Sequence, residues 1–558
     1  MIVLGLNGIF HDTSAALVAD GVIVAAAEEE RFNRRKHGKD CVPFSTWELP
    51  VKSAAWCLSF AGLQPSDVDV VAYSYDPALA LQLDGDPAAN DWEGLRTLYA
   101  ARMPRFLQAA MSGIERAKIE FVPHHVAHAA SAYLAAPYGD CAVMVADGRG
   151  ERASYLAGKV RDGKLSILET QELPHSLGLL YEELTVHLGF HRSSDEYKVM
   201  GLAGYGKPRY LDQFRELVRV RADGGFEVAP VDFERFAPRR RRDEEPFDGS
   251  HADLAASVQT RLEEVLLELA RRLQARTGDR YLTMAGGVAL NCVSNARLAR
   301  EGPFEDVWVQ PASGDAGTSL GAALFAARKH GDRVQPMRSA ALGREFTDGE
   351  LAGWLDRAQV EYERPSDIAT AVAEILADDG VVGWFQGRSE FGPRALGHRS
   401  LLANPKYPDN LERLNNIKGR EQFRPVAPMV LEERAAEIFE GHLPSPYMLF
   451  THSVKPQWRD AIAAAVHVDG TARVQTVNER EEPLVAKMLR EFDRLTGVPV
   501  TINTSFNTAG RPMVDDPRDA LECFGSSPID ALALGPFLLR RAGVFKARPT
   551  RIEVAGGV

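Results

Sequence analysis

Two histidines four residues apart, followed by a carboxylate at the end of the next apolar run, stand out in residues 121–151, FVPHHVAHAASAYLAAPYGDCAVMVADGRGE. His124 and His128 share one helix face, because positions i and i+4 lie about a turn apart. The alanine-rich continuation predicts that helix through Ala136. Pro137, Tyr138 and Gly139 break it, and Cys141–Ala146 reads as a buried strand ending on Asp147-Gly148. Two imidazoles and a carboxylate form an N,N,O set for a divalent transition metal. The alternative is a polar helix face followed by a capped turn. Asp315, in a Gly314-Asp315-Ala316-Gly317 turn ahead of a small-residue helix, is either that helix's N-cap or a fourth ligand. The ligand reading is preferred, because His124, His128 and Asp147 leave the site short of charge.

A second concentration of chemistry lies in GRSEFGPRALGHRSLLANP, where Arg388, Arg394 and Arg399 sit on a Gly/Pro-rich frame. Guanidinium groups on stiff loops suit bidentate recognition of phosphate or carboxylate. Lys418, Arg420 and Arg424 follow in NNIKGREQFRPVAP, then Arg473. Val498–Asn507 reads as a strand ending in Asn503, Ser505 and Asn507, uncharged groups suited to a small carbonyl or a ribose. So many cations on special loops of an acidic protein imply a local anionic ligand; each arginine alone is equally well a surface ion pair.

The elements that must position these groups repeat. Met1–Leu6, Ser14–Ala19 and Val22–Ala27 read as three strands, joined by the turn beginning Asn7-Gly8 and by an Asp20-Gly21 hairpin signal. Ala142–Ala146, Arg152–Gly158 and Lys164–Leu168 repeat the plan, with Asp147-Gly148 and Asp162-Gly163 in the turns. In each copy the first turn can offer backbone N–H groups to phosphate, Gly148 among them. Tyr281–Asn291, YLTMAGGVALN, predicts a strand, a Gly286-Gly287 turn open to close ligand approach, and a helix starting near Val288. Such a duplicated strand–turn–strand unit resembles the superfamily of sugar kinases, actin and heat-shock chaperone ATPases. That resemblance implies nucleotide between two related halves, with Gly286, Gly287 and Asn291 in the adenosine-contacting loop.

Three stretches are less explicit. Ser194–Pro208 is expected to be a glycine-rich loop whose Lys198 and Lys207 close over the cleft or approach phosphate. Residues 209–250 lack periodicity and read as an insertion suited to an acceptor pocket. Within it, Arg239–Glu245 reads as a self-neutralising, solvated run.

The 558 residues, 45% hydrophobic and 25% charged, describe a multi-domain α/β protein. A net charge of -12 argues against a general nucleic-acid or anionic-membrane surface. Five scattered cysteines without a C-x-x-C pair argue against a disulfide framework and fit a reducing cytosol. The start MIVLGLNG is already a strand, without a secretory n-region, and no apolar run reaches membrane-spanning length. The expectation is a cytoplasmic protein, with a homodimer left open. Composition changes near Pro336–Asp348, giving expected domains 1–345 and 346–558.

With these pieces assembled, the sequence resembles the O-carbamoyltransferases of the NodU/TobZ type, which decorate antibiotics and nodulation factors. HHVAHAASAY, AGGVALN, EFGPRALGHRS and NTSFN carry the likeness, in the family's order and across essentially the whole chain. It implies an actin/sugar-kinase-like (Kae1-like) N-terminal domain and a YrdC-like C-terminal domain. It further implies that carbamoyl phosphate and ATP, with Mg(2+), form carbamoyl-adenylate on Arg394, Arg399, Lys418, Arg424, Arg473, Asn503 and Ser505. The carbamoyl group then passes to a hydroxylated small molecule in the N-terminal site. There a metal on His124, His128, Asp147 and Asp315 grips phosphate, with iron(II) the family precedent and manganese, zinc or cobalt compatible with the ligands. His11, beside Asp12, is the candidate general base. Lys36 and His37 either approach nucleotide or lie in a surface loop. Two rivals remain: a tRNA threonylcarbamoyl-type enzyme, which the missing basic stripe opposes, and a non-catalytic actin-like scaffold, which leaves the cationic pocket without purpose.

Overall fold

The computed structural model describes residues 1–40, 45–80, 92–222, 224–241 and 246–541. Cys41 and positions 242–245 of the arginine-rich run lie outside the described residues.

Short, nearly continuous apolar runs and the Asp20-Gly21 hairpin build the first sheet from β1 (Ile2–Asn7), β2 (Ser14–Ala19), β3 (Val22–Glu28), β4 (Val70–Tyr73) and β5 (Lys118–Phe121), in the order β3-β2-β1-β4-β5. β1, β2 and β3 are antiparallel, whereas β4 runs parallel to β1 and β5 parallel to β4. The second sheet repeats this with β6 (Cys141–Ala146), β7 (Ala153–Arg161), β8 (Lys164–Glu172), β11 (Tyr281–Ala285) and β12 (Asp306–Val309), in the order β12-β11-β6-β7-β8. Its parallel and antiparallel pairs correspond strand for strand. Both hairpins turn on an Asp-Gly pair with positive φ at each residue, the twist a two-residue hairpin requires. The duplicated actin/sugar-kinase-like plan expected from the sequence is therefore present.

Two helices are pressed together between these sheets, His124–Tyr133 and Ala316–Lys329. Gly321 makes the approach feasible: a Cβ there would lie 1.8 Å from the Ala127 carbonyl oxygen.

The C-terminal half is also α/β. Its seven-stranded sheet has the order β19-β15-β20-β14-β13-β21-β22, from β13 (Val382–Phe385), β14 (Arg399–Ala403), β15 (Ala427–Leu431), β19 (Gln475–Val477), β20 (Val500–Ser505), β21 (Ala531–Leu534) and β22 (Phe537–Arg540). A small sheet of β16 (Phe439–Glu440), β17 (His452–Val454) and β18 (Thr471–Ala472) sits beside it. Helices Ile368–Ala377 and Pro483–Thr496 bury one face with Trp384 and Phe492 in the core.

Four expectations change. The alanine-rich helix ends at Tyr133, ahead of Ala136. The helix after Gly286-Gly287 begins at Cys292, because Gly287–Leu290 forms a 3-10 turn first. The supposed loop 194–208 contains a helix, Glu196–Ala203. The described residues of 209–250 are packed structure: a helix, Leu211–Leu217, and a hairpin of β9 (Val218–Val220) and β10 (Phe226–Val228) lie with the buried Phe214, Phe226 and Phe233. Arg240, read as solvated, is buried over the Phe247 ring at 3.6 Å and donates to the Leu188 carbonyl.

Candidate active site

His124 and His128 point from the first turns of their helix into a site closed from the other side by Asp147, at the end of β6, and Asp315. His124 and His128 have no exposed surface, and Asp147 and Asp315 retain 6% and 3%. His124 Nε2 lies 3.5 Å from Asp147 Oδ2 and 3.6 Å from Asp315 Oδ1. His128 Nε2 lies 3.7 Å and 3.5 Å from the same two oxygens. Corners of a tetrahedron about 2.1 Å from its centre are roughly 3.4 Å apart. Both Nε2 atoms are buried without a hydrogen-bond partner, an arrangement that is costly for the polypeptide alone. The donor set therefore fits a divalent metal.

The supports of this set are local. The Ser74 carbonyl, 3.2 Å from His124 Nδ1, fixes the tautomer that leaves Nε2 facing the carboxylates. The Gly287 N–H donates to Asp147 Oδ1 at 2.9 Å. Glu151 accepts the His124 and Asp76 N–H groups at 2.8 Å each, capping the ligand helix from outside. Asp315 occupies the N-cap position of Ala316–Lys329 but makes no capping hydrogen bond, so its carboxylate serves the histidines. Burial opposes a charged His124, yet Asp147 and Asp315 push its imidazole up to about 10, while burial leaves His128 below its ordinary value. Burial also works against both carboxylates' charge, but the imidazoles hold them below the usual range. Two buried carboxylates facing two buried imidazoles form a donor set whose negative charge a divalent cation offsets.

A cavity of about 160 Å³ opens onto this set, lined by His11, Asp147, Gly148, Ser193 and Asp315, with Arg96 and Arg149 among its walls. His11 Nε2 is 3.8 Å from Asp315 Oδ2, and its Nδ1 is 2.9 Å from Asp12 Oδ2. Gly148 thus lies where a ligand could reach it. Gly286, Gly287 and Asn291 are otherwise engaged. A Cβ at Gly286 would fall 2.2 Å from the Ala146 carbonyl oxygen, Gly287 orients Asp147, and Asn291 caps the Cys292 helix and pairs with Gln259. His125, absent from the i/i+4 reading, also reaches Asp147 Oδ2 at 3.5 Å.

The C-terminal cations divide. Burial and Arg473 lower the Arg394 guanidinium to about 9; burial and Arg424 do the same to Arg420. Burial, Arg420 and Arg424 drive Lys418 well below its usual value, and burial lowers Arg473. Lys418 donates to Ser505 Oγ at 2.9 Å and to Asn507. Glu421, paired with Arg424 at 3.2 Å, also takes Lys198 at 2.8 Å from the N-terminal half. Lys198 is thus spoken for within the protein. Such mutual repulsion favours an anionic ligand. Arg399 stands apart: fully buried over the Phe385 ring at 3.7 Å, it donates to the Gln386, Gly387 and Arg344 carbonyls. Asn503 donates to Gln475 and to the carbonyl of Ala395, next to Arg394. Sequence order placed Arg399 with the ligand cations, whereas Arg420, on the loop after Lys418, is the one that joins them.

No described helix is long and apolar enough to cross a membrane. Residues 2–324 match the family model for the carbamoyltransferase N-terminus, and residues 373–541 that for the carbamoyltransferase C-terminus. The chain is 39% identical to nodulation protein NolNO of Sinorhizobium fredii, over 96% of this chain and 80% of that protein. It is 37% identical to the Synechocystis protein sll1178, over 98% and 97% respectively. Nodulation protein U of Rhizobium tropici is 31% identical, over 92% of each chain. Among solved structures, a ROK family glucokinase from Streptomyces griseus aligns with 59% of this chain and all of its own at 14% identity and a TM-score of 0.31.

Proposed function

Because the chain belongs to the carbamoyltransferase family, we propose that it is an ATP-dependent O-carbamoyltransferase that works in two steps at two sites. In the C-terminal half, residues 346–558, water cleaves carbamoyl phosphate to carbamate and phosphate, and a carbamate oxygen then attacks the α-phosphorus of Mg(2+)-bound ATP, giving carbamoyl-adenylate as the bond to the departing pyrophosphate breaks. Two polyanions brought together need cations, which Arg394, Lys418, Arg420, Arg424 and Arg473 supply. Arg399 and Asn503 hold the loops on which Arg394 stands. Carbamate is a poor acyl donor, and coupling it to AMP provides a good leaving group.

In the N-terminal half, residues 1–345, the hydroxyl oxygen of a small-molecule acceptor attacks the carbamoyl carbon. The new C–O bond forms as the bond to the adenylate oxygen breaks, its electron pair leaving with AMP. The hydroxyl proton goes to His11 Nε2. His124, His128, Asp147 and Asp315 would hold a divalent metal, for which iron(II), manganese, zinc and cobalt are all chemically suited. Such an ion supplies Lewis acidity toward a phosphate oxygen, typically worth several kcal/mol. The buried walls keep water from a readily hydrolysed donor.

The observation that carries this reading is the presence of two unlike sites, a buried N,N,O,O set and a mutually repelling cation cluster. A kinase or a scaffold needs only one. The deciding measurement is pyrophosphate release from ATP with no acceptor present. Release that depends on carbamoyl phosphate is expected; none, with any of the four metals, overturns the adenylate step.

A further inference from the structure

Asp12 is gripped from both sides. His11 Nδ1 lies 2.9 Å from its Oδ2, and His37 Nδ1 lies 2.7 Å from its Oδ1. His37 Nε2 in turn lies 2.9 Å from Ser194 Oγ. The carboxylate holds a left-handed backbone conformation, φ +49°, uncommon outside glycine. Asn7 fixes it there by donating to the carbonyls of His11 and Asp12, 3.0 Å each. The His37 N–H is anchored on Glu30 at 2.8 Å.

The hydrogen-bond chemistry determines the tautomers. An ionised carboxylate only accepts, so both Nδ1 atoms facing it donate. Nε2 of His11 is then the ring nitrogen on the side of the cavity and Asp315, the position a general base requires. The same logic makes Nε2 of His37 an acceptor, with the Ser194 hydroxyl donating to it. Loss of water around Asp12 opposes its charge, but His37 and His11 outweigh this and hold it well below the usual carboxylate range. Ser194 adjoins Ser193, which lines the cavity in a left-handed conformation, φ +54°.

From this geometry we infer that His37 and Ser194 are positioning residues for carbamoyl transfer: through Asp12 they lock His11 in the tautomer and orientation that take the acceptor's proton. The inference rests on the reading of His11 as that base. No new bond is made to either residue. When the acceptor oxygen attacks and its proton moves to His11 Nε2, Asp12 accepts from the resulting imidazolium on one side and from His37 on the other. The loop carrying Ser193 and Ser194 thereby connects cavity wall and base.

The test uses full-length, metal-loaded protein, pre-formed carbamoyl-adenylate and two nucleophiles. Methanol must lose a proton to the base; hydroxylamine, already a strong neutral nucleophile, has little need of one. For His37→Ala, the methanol kcat is expected to fall about tenfold or more, with the donor KM and hydroxylamine discharge near wild type. His37→Asn, whose amide nitrogen can stand where Nδ1 stands, should recover to within about threefold of wild type, and Ser194→Ala should lose about threefold. Equal losses with both nucleophiles, or a wild-type methanol rate in Ser194→Ala and His37→Ala, would overturn the inference. A wild-type protein that carbamoylates hydroxylamine but gives variants of unchanged methanol rate refutes the relay alone. A wild-type protein inert to both probes removes the underlying transfer reading and the relay together.

Discussion

Glu28, at the end of β3, accepts the backbone N–H of Gly392 at 2.6 Å, while Arg31 of the same half donates to the Gly392 carbonyl at 3.0 Å. One residue of the C-terminal half is thus held at both its backbone polar groups by the N-terminal half. That residue lies two positions before Arg394. Among the described residues, Arg34 similarly reaches Asp519 at 3.1 Å, and Arg388 donates to the Val24 carbonyl at 3.0 Å. The halves are joined through directional polar contacts, buried at Glu28 and Arg31.

Glu28 gives this junction a pH dependence. Burial raises its carboxyl from 4.5 to about 7. Between those values the folded chain keeps a proton that the unfolded chain releases. The contribution is fully present below about pH 4.5 and is lost as pH rises through 7, up to about 3 kcal/mol. Melting wild type and Glu28→Gln at pH 5 and pH 8 checks it. Wild type should gain on the variant at pH 5 relative to pH 8; an unchanged difference would contradict the assignment.

The two proposed sites should fail independently. Lys418→Ala is expected to lose carbamoyl-phosphate-dependent pyrophosphate release by about a hundredfold or more, yet still transfer from pre-formed carbamoyl-adenylate. His128→Ala should do the reverse. Loss of both activities in both variants would refute the division of labour.

Metal content tests the buried set directly. Dialysed protein reloaded with each candidate ion should bind one per chain, read by elemental analysis, and His124→Ala should bind none. Glu151→Gln, which touches the ligand helix but not the ligand atoms, should weaken binding about 10–100-fold.

Packing makes the same site fragile at a distance. At Gly321→Ala the new methyl would meet the Ala127 carbonyl oxygen at 1.8 Å, so the helices carrying His124, His128 and Asp315 must separate. A loss of at least about 1–3 kcal/mol in thermal unfolding is expected, together with lowered metal affinity. A melting temperature equal to wild type would show that the interface yields freely.

Removing a cation from the repelling cluster should stabilise the ligand-free chain while impairing function. Arg394→Met, which removes a buried charge lowered to about 9 by burial and Arg473, is expected to melt slightly above wild type in plain buffer. Millimolar pyrophosphate should raise the melting temperature of wild type but have much less effect on the variant. Equal responses would place the anion elsewhere.

Local chemistry was legible from sequence alone. Asp20-Gly21 and Asp162-Gly163 encode tight hairpins because a two-residue turn needs residues that tolerate positive φ. The paired β-meanders followed from short apolar runs bounded by polar-Gly turns, and the shared face of His124 and His128 from helical periodicity. What depends on distant partners was decided only by folding. Asp315 joins the histidines because Gly321 lets two helices touch. Asn291 and Gly287 meet Gln259 and Asp147, which arrive from distant segments. Arg399 becomes a strut because it meets buried carbonyls, whereas Arg420, which donates to Asn415, lies against the positive charge of Arg424 and Arg473. His37, ambiguous in a charged run, finds Asp12 and Ser194. Residue type sets which bonds a side chain can make; the tertiary structure determines which partner arrives, and so whether an arginine, an asparagine or a histidine stabilises the fold or faces a substrate.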